Sequence, residues 1–230
     1  MGNSEDFYLR FTSIQILISL CNSQPFQLQS AVLNSPSGVE TVLNLLKDSR
    51  EIVRNEGLLL CEALVRGNSD LQKILAFQGA FEEVMKIIVE EEGPWTGPLI
   101  IQDAFNLISA MLNLNTSNQN YFRDSICFKQ LAGLLSLPQG EDFGLWNSTK
   151  ISNYLAALNI LDGILCKENV DLEASQVQLI FILKFLFSIV ECRYENSFSR
   201  SFAYSRFYSK NSITSLSLCF KLFKWPNLVK

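Results

Sequence analysis

The sequence predicts an all-α protein, a solenoid of helical repeats, because one pattern recurs along the chain. Three segments align beneath one another, residues 12–46, 56–88 and 103–135. Each contains a long apolar helix, a polar break, a short helix, a Gly or Ser turn and another apolar helix. The segments start 44 and 47 residues apart, which is typical of armadillo and HEAT repeats, whose units must stack to bury their apolar faces. We therefore predict a right-handed superhelix of the armadillo type.

The second observation is the helical period inside each segment. Apolar residues recur on one face, as in the stripe formed by Leu58, Cys61, Leu64 and Val65. Short polar residues stand where helices should begin and are expected to act as N-caps: Ser49, Ser69 and Asp70. The prolines fall in the breaks, where a missing N–H costs little: Pro25, Pro36, Pro94, Pro98 and Pro138. A fourth unit begins with a long helix in residues 148–169, so we assign residues 1–170 to the repeat domain.

The C-terminal quarter, residues 171–230, departs from this pattern. Residues 171–195 include the apolar run LIFILKFLFSIV (179–190), which we expect to be a packing helix rather than a buried strand. Membrane association is the alternative, but the run is short for a span and contains Lys184. Residues 196–230 carry six basic residues and no acidic residue. This Ser- and Phe-rich tail is interpreted either as a contact with anionic membrane or, the favoured interpretation, as disordered sequence from a gene-model artefact.

The composition excludes several functions. The chain has no histidine, and it lacks CxxC pairs and Gly-rich phosphate loops, so we predict no catalytic residue, cofactor or metal site. The six cysteines are expected to be free thiols, and those in apolar helical runs to be buried. Residues 1–195 hold 13 basic and 23 acidic residues, and an acidic body argues against nucleic acid as a partner. A protein-interaction role, without enzymatic activity, is the expectation that remains.

Three blocks carry a family resemblance: SREIVRNEG (49–57), LQKILAFQGAFE (71–82) and SNQNYF (117–122). In this order and spacing they resemble the globular head of the general vesicular transport factor family of Golgi tethers, over residues 5–168. The resemblance implies a cytoplasmic protein, peripheral on Golgi and transport-vesicle membranes, that acts in vesicle tethering in ER-to-Golgi and intra-Golgi transport. The implied partners are golgins, Rab-type small GTPases and the fusion machinery.

The chain also departs from the plan that the resemblance implies. It has no heptad repeat and no acidic tail, and we expect it to lack the first and last repeats of the head. Tethering over a distance and dimerisation, which in this family depend on a coiled coil, are therefore in doubt for this chain alone. The alternative function is a generic armadillo adaptor unrelated to the Golgi.

Six residues are candidate partner contacts. Arg50 and Arg54 lie four residues apart, and they form either a surface for an acidic partner or a solvated helix face with local ion pairs. Asn118 and Gln119 stand beside aromatic residues, where they either contact a partner or fill a turn between repeats. Trp95, between two prolines, either packs on the core or is an exposed hot spot. Arg66 completes the set.

A further expectation concerns the groove. Armadillo proteins that bind extended peptides, such as nuclear-import adaptors and catenins, carry an Asn ladder on each third helix. The equivalent positions here are Ser19, Ala63, Ala110 and Gly163. Because none is Asn, a bound peptide would find no amide partners for its backbone, which weighs against a nuclear-import or catenin-like role.

Overall fold

The structure is a computed structural model that describes residues 4–95, 98–135 and 146–165, all within the unit Met1–Ile180. The described elements are ten α-helices and one short 3₁₀ helix (Gly93–Trp95), with no strand among them. The helices are α1 (Ser4–Ser23), α2 (Pro25–Asn34), α3 (Gly38–Leu45), α4 (Glu51–Val65), α5 (Ser69–Phe77), α6 (Ala80–Glu90), α7 (Leu99–Leu112), α8 (Thr116–Asp124), α9 (Ile126–Leu134) and α10 (Ser148–Leu165). The predicted packing helix at 171–195 and the tail at 196–230 lie outside the described residues.

The helices fall into units of three, as the sequence pattern predicts. Each unit begins with a long helix and continues with two shorter ones, giving α1–α3, α4–α6 and α7–α9, while α10 begins a fourth unit. The long helices α1, α4, α7 and α10 pack against one another in chain order. The all-α, helical-repeat prediction is therefore confirmed for the described residues.

The core runs along the stacked long helices and includes the third helices that pack on them. α3 packs on α4 and α6 packs on α7. Gly57 on α4 allows the close approach of α3, because a Cβ at that position would stand 2.8 Å from the Cβ of Leu45. Aromatic packing joins the second and third units, since the rings of Phe81 and Phe122 meet edge to face with centroids 4.9 Å apart.

The turn after each inner long helix uses a left-handed residue followed by an Asn N-cap. Gly67 (φ +68°) precedes Asn68, and Leu114 (φ +55°) precedes Asn115. Asn68 Oδ1 accepts from the N–H groups of Asp70 and Leu71, and Asn115 Oδ1 accepts from that of Asn118.

Two predicted N-cap positions are thereby corrected. α5 is capped by Asn68, one residue before Ser69 and two before Asp70. α4 begins after Arg50, whose side chain makes no capping bond, so Ser49 lies one residue too early to cap it.

Candidate interaction surface

Arg50 contacts side chains of its own chain, at the entry to α4. Its Nε and one terminal nitrogen donate to the carboxylate of Asp48, each at 3.0 Å, and its guanidinium stands 5.8 Å from the ring centroid of Phe7. Arg10 of α1 donates to the same carboxylate at 2.8 Å. The hydrogen bonds from Arg50, followed by the positive charges of Arg50 and Arg10, lower the pKa of Asp48. Arg50 thus helps to fasten α1 to the loop before α4.

Arg54 is mostly buried and joins two elements of one unit. Its terminal nitrogens lie 3.3 Å from Glu91 Oε1 and 3.7 Å from Glu90 Oε2, at the end of α6. Its Nε is buried and has no hydrogen-bond partner. The local ion-pair interpretation of Arg50 and Arg54 therefore accounts for these contacts, and two glutamates of the acidic run 90–92 are engaged by Arg54.

The structure describes the side chain of Arg66 but not that of Trp95. Arg66 directly follows the last residue of α4, 61% of its side chain is exposed, and it donates to Glu62 Oε1 at 2.6 Å across one helical turn. A surface pair of this kind adds little to stability. Trp95 ends the 3₁₀ helix, and its side chain lies outside the described part of the structure.

Asn118 and Gln119 lie at the junction between the second and third units. Asn118 is 3% exposed, and its Nδ2 donates to the carbonyls of Gln72 and Met111, each at 2.9 Å. Gln119 Nε2 donates to the carbonyl of Leu112 at 2.7 Å. The pair therefore fills an inter-repeat turn, which is the alternative that the sequence left open beside a partner surface.

Sequence reasoning missed the residue at the centre of this junction, Gln72 of α5. Its side chain is buried, and Nε2 donates to Ala110 O at 2.9 Å and to Val65 O at 3.3 Å. Its Oε1 accepts from Asn115 Nδ2 at 3.0 Å. One amide thus adds a partner for Val65 O at the end of α4, which also accepts from the N–H of Asn68, and satisfies carbonyls at the end of α7.

The same arrangement recurs at the junction between the first two units. Gln29 of α2 is buried, and its Nε2 donates to Leu64 O at 2.9 Å and to Arg66 O at 3.0 Å, at the end of α4. Its Oε1 accepts from Asn68 Nδ2 at 3.3 Å. We call these two Gln–Asn pairs the amide ladder. The signal was present in the sequence, because Gln29, Gln72 and Gln119 recur at 43 and 47 residues, close to the repeat spacing.

Three partly buried carboxylates, Glu56 and Glu62 of α4 and Asp103 of α7, lie close to one another and form an acidic strip. Burial, followed by the negative charges of Glu62 and Glu56, raises the pKa of Asp103. Three carboxylates therefore form this strip. Their negative charge would favour a partner segment that carries basic residues. The placement of the Asn-ladder positions on third helices is wrong: Ser19, Ala63, Ala110 and Gly163 lie one on each long helix, and Ala63 is buried and so cannot contact a peptide.

The described residues carry no arrangement typical of catalysis. Cys21, Cys61 and Cys127 are free and buried, and burial raises the pKa of Cys61 to about 12, so its reactive thiolate is suppressed. Within residues 4–95, 98–135 and 146–165, no three His, Cys, Asp or Glu side chains are placed to hold a metal ion. None of the helices described there is long and apolar enough to cross a membrane.

Comparison with known proteins gives a consistent set of relatives, although no family model matches the chain. It is 35% identical over 164 residues to the general vesicular transport factor p115 of Bos taurus, covering 71% of this chain and 17% of that protein. It is 37% identical over 158 residues to the intracellular protein transport protein USO1 of Saccharomyces cerevisiae, covering 68% and 9%. Golgin candidate 6 of Arabidopsis thaliana is 36% identical over 161 residues, covering 70% and 17%. The chain therefore spans less than a fifth of the length of these relatives.

Solved structures agree with the sequence relatives. Crystal structures named Uso1-2 and Uso1-1 match with TM-scores of 0.67 and 0.66, both at 33% identity and over 84% of this chain, which spans 28% and 29% of theirs. The resemblance inferred from the three sequence blocks is confirmed: over about 70% of its length, this chain is homologous to the globular head of the general vesicular transport factor family.

Proposed function

We propose that this chain is a non-enzymatic protein-interaction scaffold in vesicle tethering, acting between the endoplasmic reticulum and the Golgi and within the Golgi. The observation that carries the proposal is the 35–37% identity, over about 70% of the chain, to proteins named for vesicular and intracellular transport. The stacked helices support it, because a solenoid offers a continuous surface for protein partners. A generic armadillo adaptor is the second candidate, and the similarity to proteins named for vesicular and intracellular transport favours the tethering role over it.

The proposed site of action is the cytoplasmic side of Golgi and transport-vesicle membranes, where the chain would bind peripherally. The proposed partners are golgins, Rab-type small GTPases and the fusion machinery. Of the six residues singled out from the sequence, Arg66 is the best placed to contact a partner, because most of its side chain is exposed. The acidic strip of Glu56, Glu62 and Asp103 lies on two neighbouring long helices and would favour a basic partner segment.

Affinity capture with matched variants tests this function. The full chain would be tagged, expressed in cells and crosslinked, and the captured proteins identified by mass spectrometry. We expect golgins, Rab-type GTPases or fusion factors to be enriched, and Arg66→Glu or Asp103→Lys to reduce that enrichment severalfold. Lys129→Glu on α9 is the control for a change of surface charge. Enrichment of unrelated cargo alone would favour the generic adaptor, and the absence of any Golgi or vesicle protein would refute the tethering role.

A further inference from the structure

A row of solvent-accessible positions crosses the long helices one helical turn before the positions predicted for an Asn ladder. They are Gln15, Leu59, Asn106 and Asn159, one each on α1, α4, α7 and α10. The three carboxamide side chains are exposed, and Leu59 is half-buried. Within the described part of the chain, none of these three carboxamides forms a hydrogen bond. Their donors and acceptors are therefore open to a ligand.

The four positions are equivalent in the repeat, because they are separated by 44, 47 and 53 residues, and the last two offsets superpose the buried faces of α4, α7 and α10. The buried residues that correspond under these offsets are at most 4% exposed: Leu60, Cys61 and Leu64 of α4, Leu107, Ile108 and Met111 of α7, and Ile160, Leu161 and Ile164 of α10. The long helices pack against one another in chain order. The four positions therefore form one row across neighbouring helices, which we call the carboxamide row.

The acidic strip flanks this row. Glu56 and Glu62 stand three residues before and after Leu59, and Asp103 stands three residues before Asn106, a spacing that places side chains on the same face of a helix. Among the described residues, only Glu62 of the three acids has a basic side chain in ion-pair contact. Burial, and then the charges of Glu62 and Glu56, raise the pKa of Asp103. The strip is thus a partly buried negative site that its own helices neutralise only in part.

The carboxamide row fits an extended polypeptide better than a folded one. A carboxamide offers both a donor and an acceptor, so it can pair with the N–H and the C=O of a backbone. A helix has already used these groups, whereas an extended segment leaves them unpaired. Packed helices lie about 8–10 Å apart, so the row from α1 to α10 spans about 24–30 Å. At about 3.3 Å per residue, roughly eight residues of an extended chain would cross it.

The one apolar position of the row suits the side chain of a basic residue. Leu59 interrupts the carboxamides at α4, and it lies between Glu56 and Glu62 on the same helix face. Lysine and arginine carry their charge at the end of a long apolar stem. The stem can pack on Leu59 while the charged end reaches the carboxylates. A basic residue at this point of the segment would therefore gain both contacts at once.

We propose that the long helices bind an extended basic segment of a partner protein, whose backbone pairs with the carboxamide row and whose Lys or Arg side chain lies on Leu59 between Glu56 and Glu62. Pairing with the backbone makes the site tolerant of the other side chains of the segment, while the acidic strip selects its charge. This inference names the class of partner at the acidic strip, and its cellular setting rests on the tethering function proposed above.

Fluorescence anisotropy of labelled peptides added to the full chain tests the binding. The probe is a peptide of about ten residues in which Lys and Ser alternate, long enough to cross the four helices. One control peptide carries Glu in place of Lys, and another carries methyl groups on its backbone nitrogens. We expect the Lys peptide to bind and the Glu peptide not to bind. The methylated peptide should bind at least about tenfold more weakly, because its backbone has lost the N–H donors.

Matched variants separate recognition of the backbone from attraction between charges. Asn106→Ala should weaken binding of the Lys peptide about fivefold, and it should affect the methylated peptide much less, because part of the contact is already lost there. Asn120→Ala is the control at an exposed Asn outside the row. Asp103→Lys should weaken binding more than about tenfold, and Glu40→Lys on α3 is its control at an exposed carboxylate. Circular dichroism would show that the variants keep their helix content.

The outcomes that overturn the proposal are distinct. Absence of binding by the Lys peptide, or equal binding by the Glu peptide, would refute the site. Binding that is lost with Asp103→Lys but indifferent to methylation and to Asn106→Ala would refute recognition of the backbone. Tighter binding of a synthetic peptide of residues 196–230, which hold six basic residues and no acidic one, would assign the site to this chain's own C-terminal segment instead. Since purified chain and peptides suffice, failure here is distinguishable from failure of the affinity capture that tests tethering.

Discussion

The two junctions between complete units have the same packing but are held by different chemistry. At the first, between α1–α3 and α4–α6, attraction between charges adds to the amide ladder, since Asp48 receives hydrogen bonds from Arg10 and Arg50. At the second, between α4–α6 and α7–α9, the amides make more bonds, and the acidic strip adds repulsion around Asp103. The repeat therefore dictates where the helices stack, whereas the bonds that hold each junction are particular to it.

The largest difference between the junctions should come from the ladder glutamines. Gln72→Ala removes one partner of Asn115 and the bonds to Ala110 O and Asn113 O at the end of α7, and we expect it to lower the free energy of unfolding by about 3 kcal/mol. Gln29→Ala removes fewer bonds and should cost about half as much. Urea unfolding followed by circular dichroism measures both, with Gln130→Ala on the exposed side of α9 as a control. Equal losses at the two positions would show that the junctions do not differ in this way.

The turns that precede the caps give a second, smaller contrast. Gly67 and Leu114 are equivalent and both left-handed, but only glycine adopts this conformation without strain. A Cβ at Gly67 would meet nothing within 4 Å, so Gly67→Leu should cost about 1–2 kcal/mol through backbone strain alone. Leu114→Gly should stabilise by about 0.5 kcal/mol, since relief of strain exceeds the added chain entropy. Leu114→Ala keeps the backbone strain, so its free energy of unfolding should change little. If Leu114→Ala were stabilised as much as Leu114→Gly, the cause would be removal of the exposed leucine side chain rather than relief of strain.

The charges of the first junction predict a dependence on pH. The pKa of Asp48 is lowered in the folded protein, so its stabilising contribution is present above the unfolded value of about 3.9 and is lost as the pH falls through the folded pKa. Asp48→Asn should therefore lower stability at neutral pH and flatten the loss on acidification. Thermal melting from about pH 6 to about pH 2 checks this. If the melting temperatures of the variant and the parent fell equally on acidification, carboxyl groups other than Asp48 would determine the pH dependence of stability.

The smallest effect should come from the acidic strip of the second junction. The pKa of Asp103 is raised by burial and by its acidic neighbours, so ionisation of this carboxyl costs stability as the pH rises above the unfolded value of about 3.9. Asp103→Asn should stabilise the protein by about 0.3 kcal/mol at neutral pH. Added salt provides the control, because it should stabilise the parent more than the variant by screening Glu56 and Glu62. A variant less stable than its parent would contradict the direction.

The elements of the fold were largely predictable from the sequence, because the apolar period and the polar breaks report local geometry. The repeat spacing placed the long helices, and the free cysteines at 21 and 61 are buried as expected. The junction bonds were not predictable in the same way. Asn118 and Gln119 were singled out beside aromatic residues, but Gln29 and Gln72 lie among apolar neighbours and resemble ordinary polar positions of short helices. Their role depends on which backbone carbonyls of the next unit lie within hydrogen-bond distance. Those distances are set by how the units stack, which the local sequence pattern does not report.

The preference of the amide ladder for backbone partners has a consequence for evolution. Gln29 and Gln72 donate to carbonyl oxygens at the ends of the long helices, and every residue type supplies a carbonyl. The side chains of those helix ends can therefore be replaced without disturbing the joint, provided that the helix ends at the same place. A chain of this design can change its exposed residues, and so its partners, while the stacking is inherited intact.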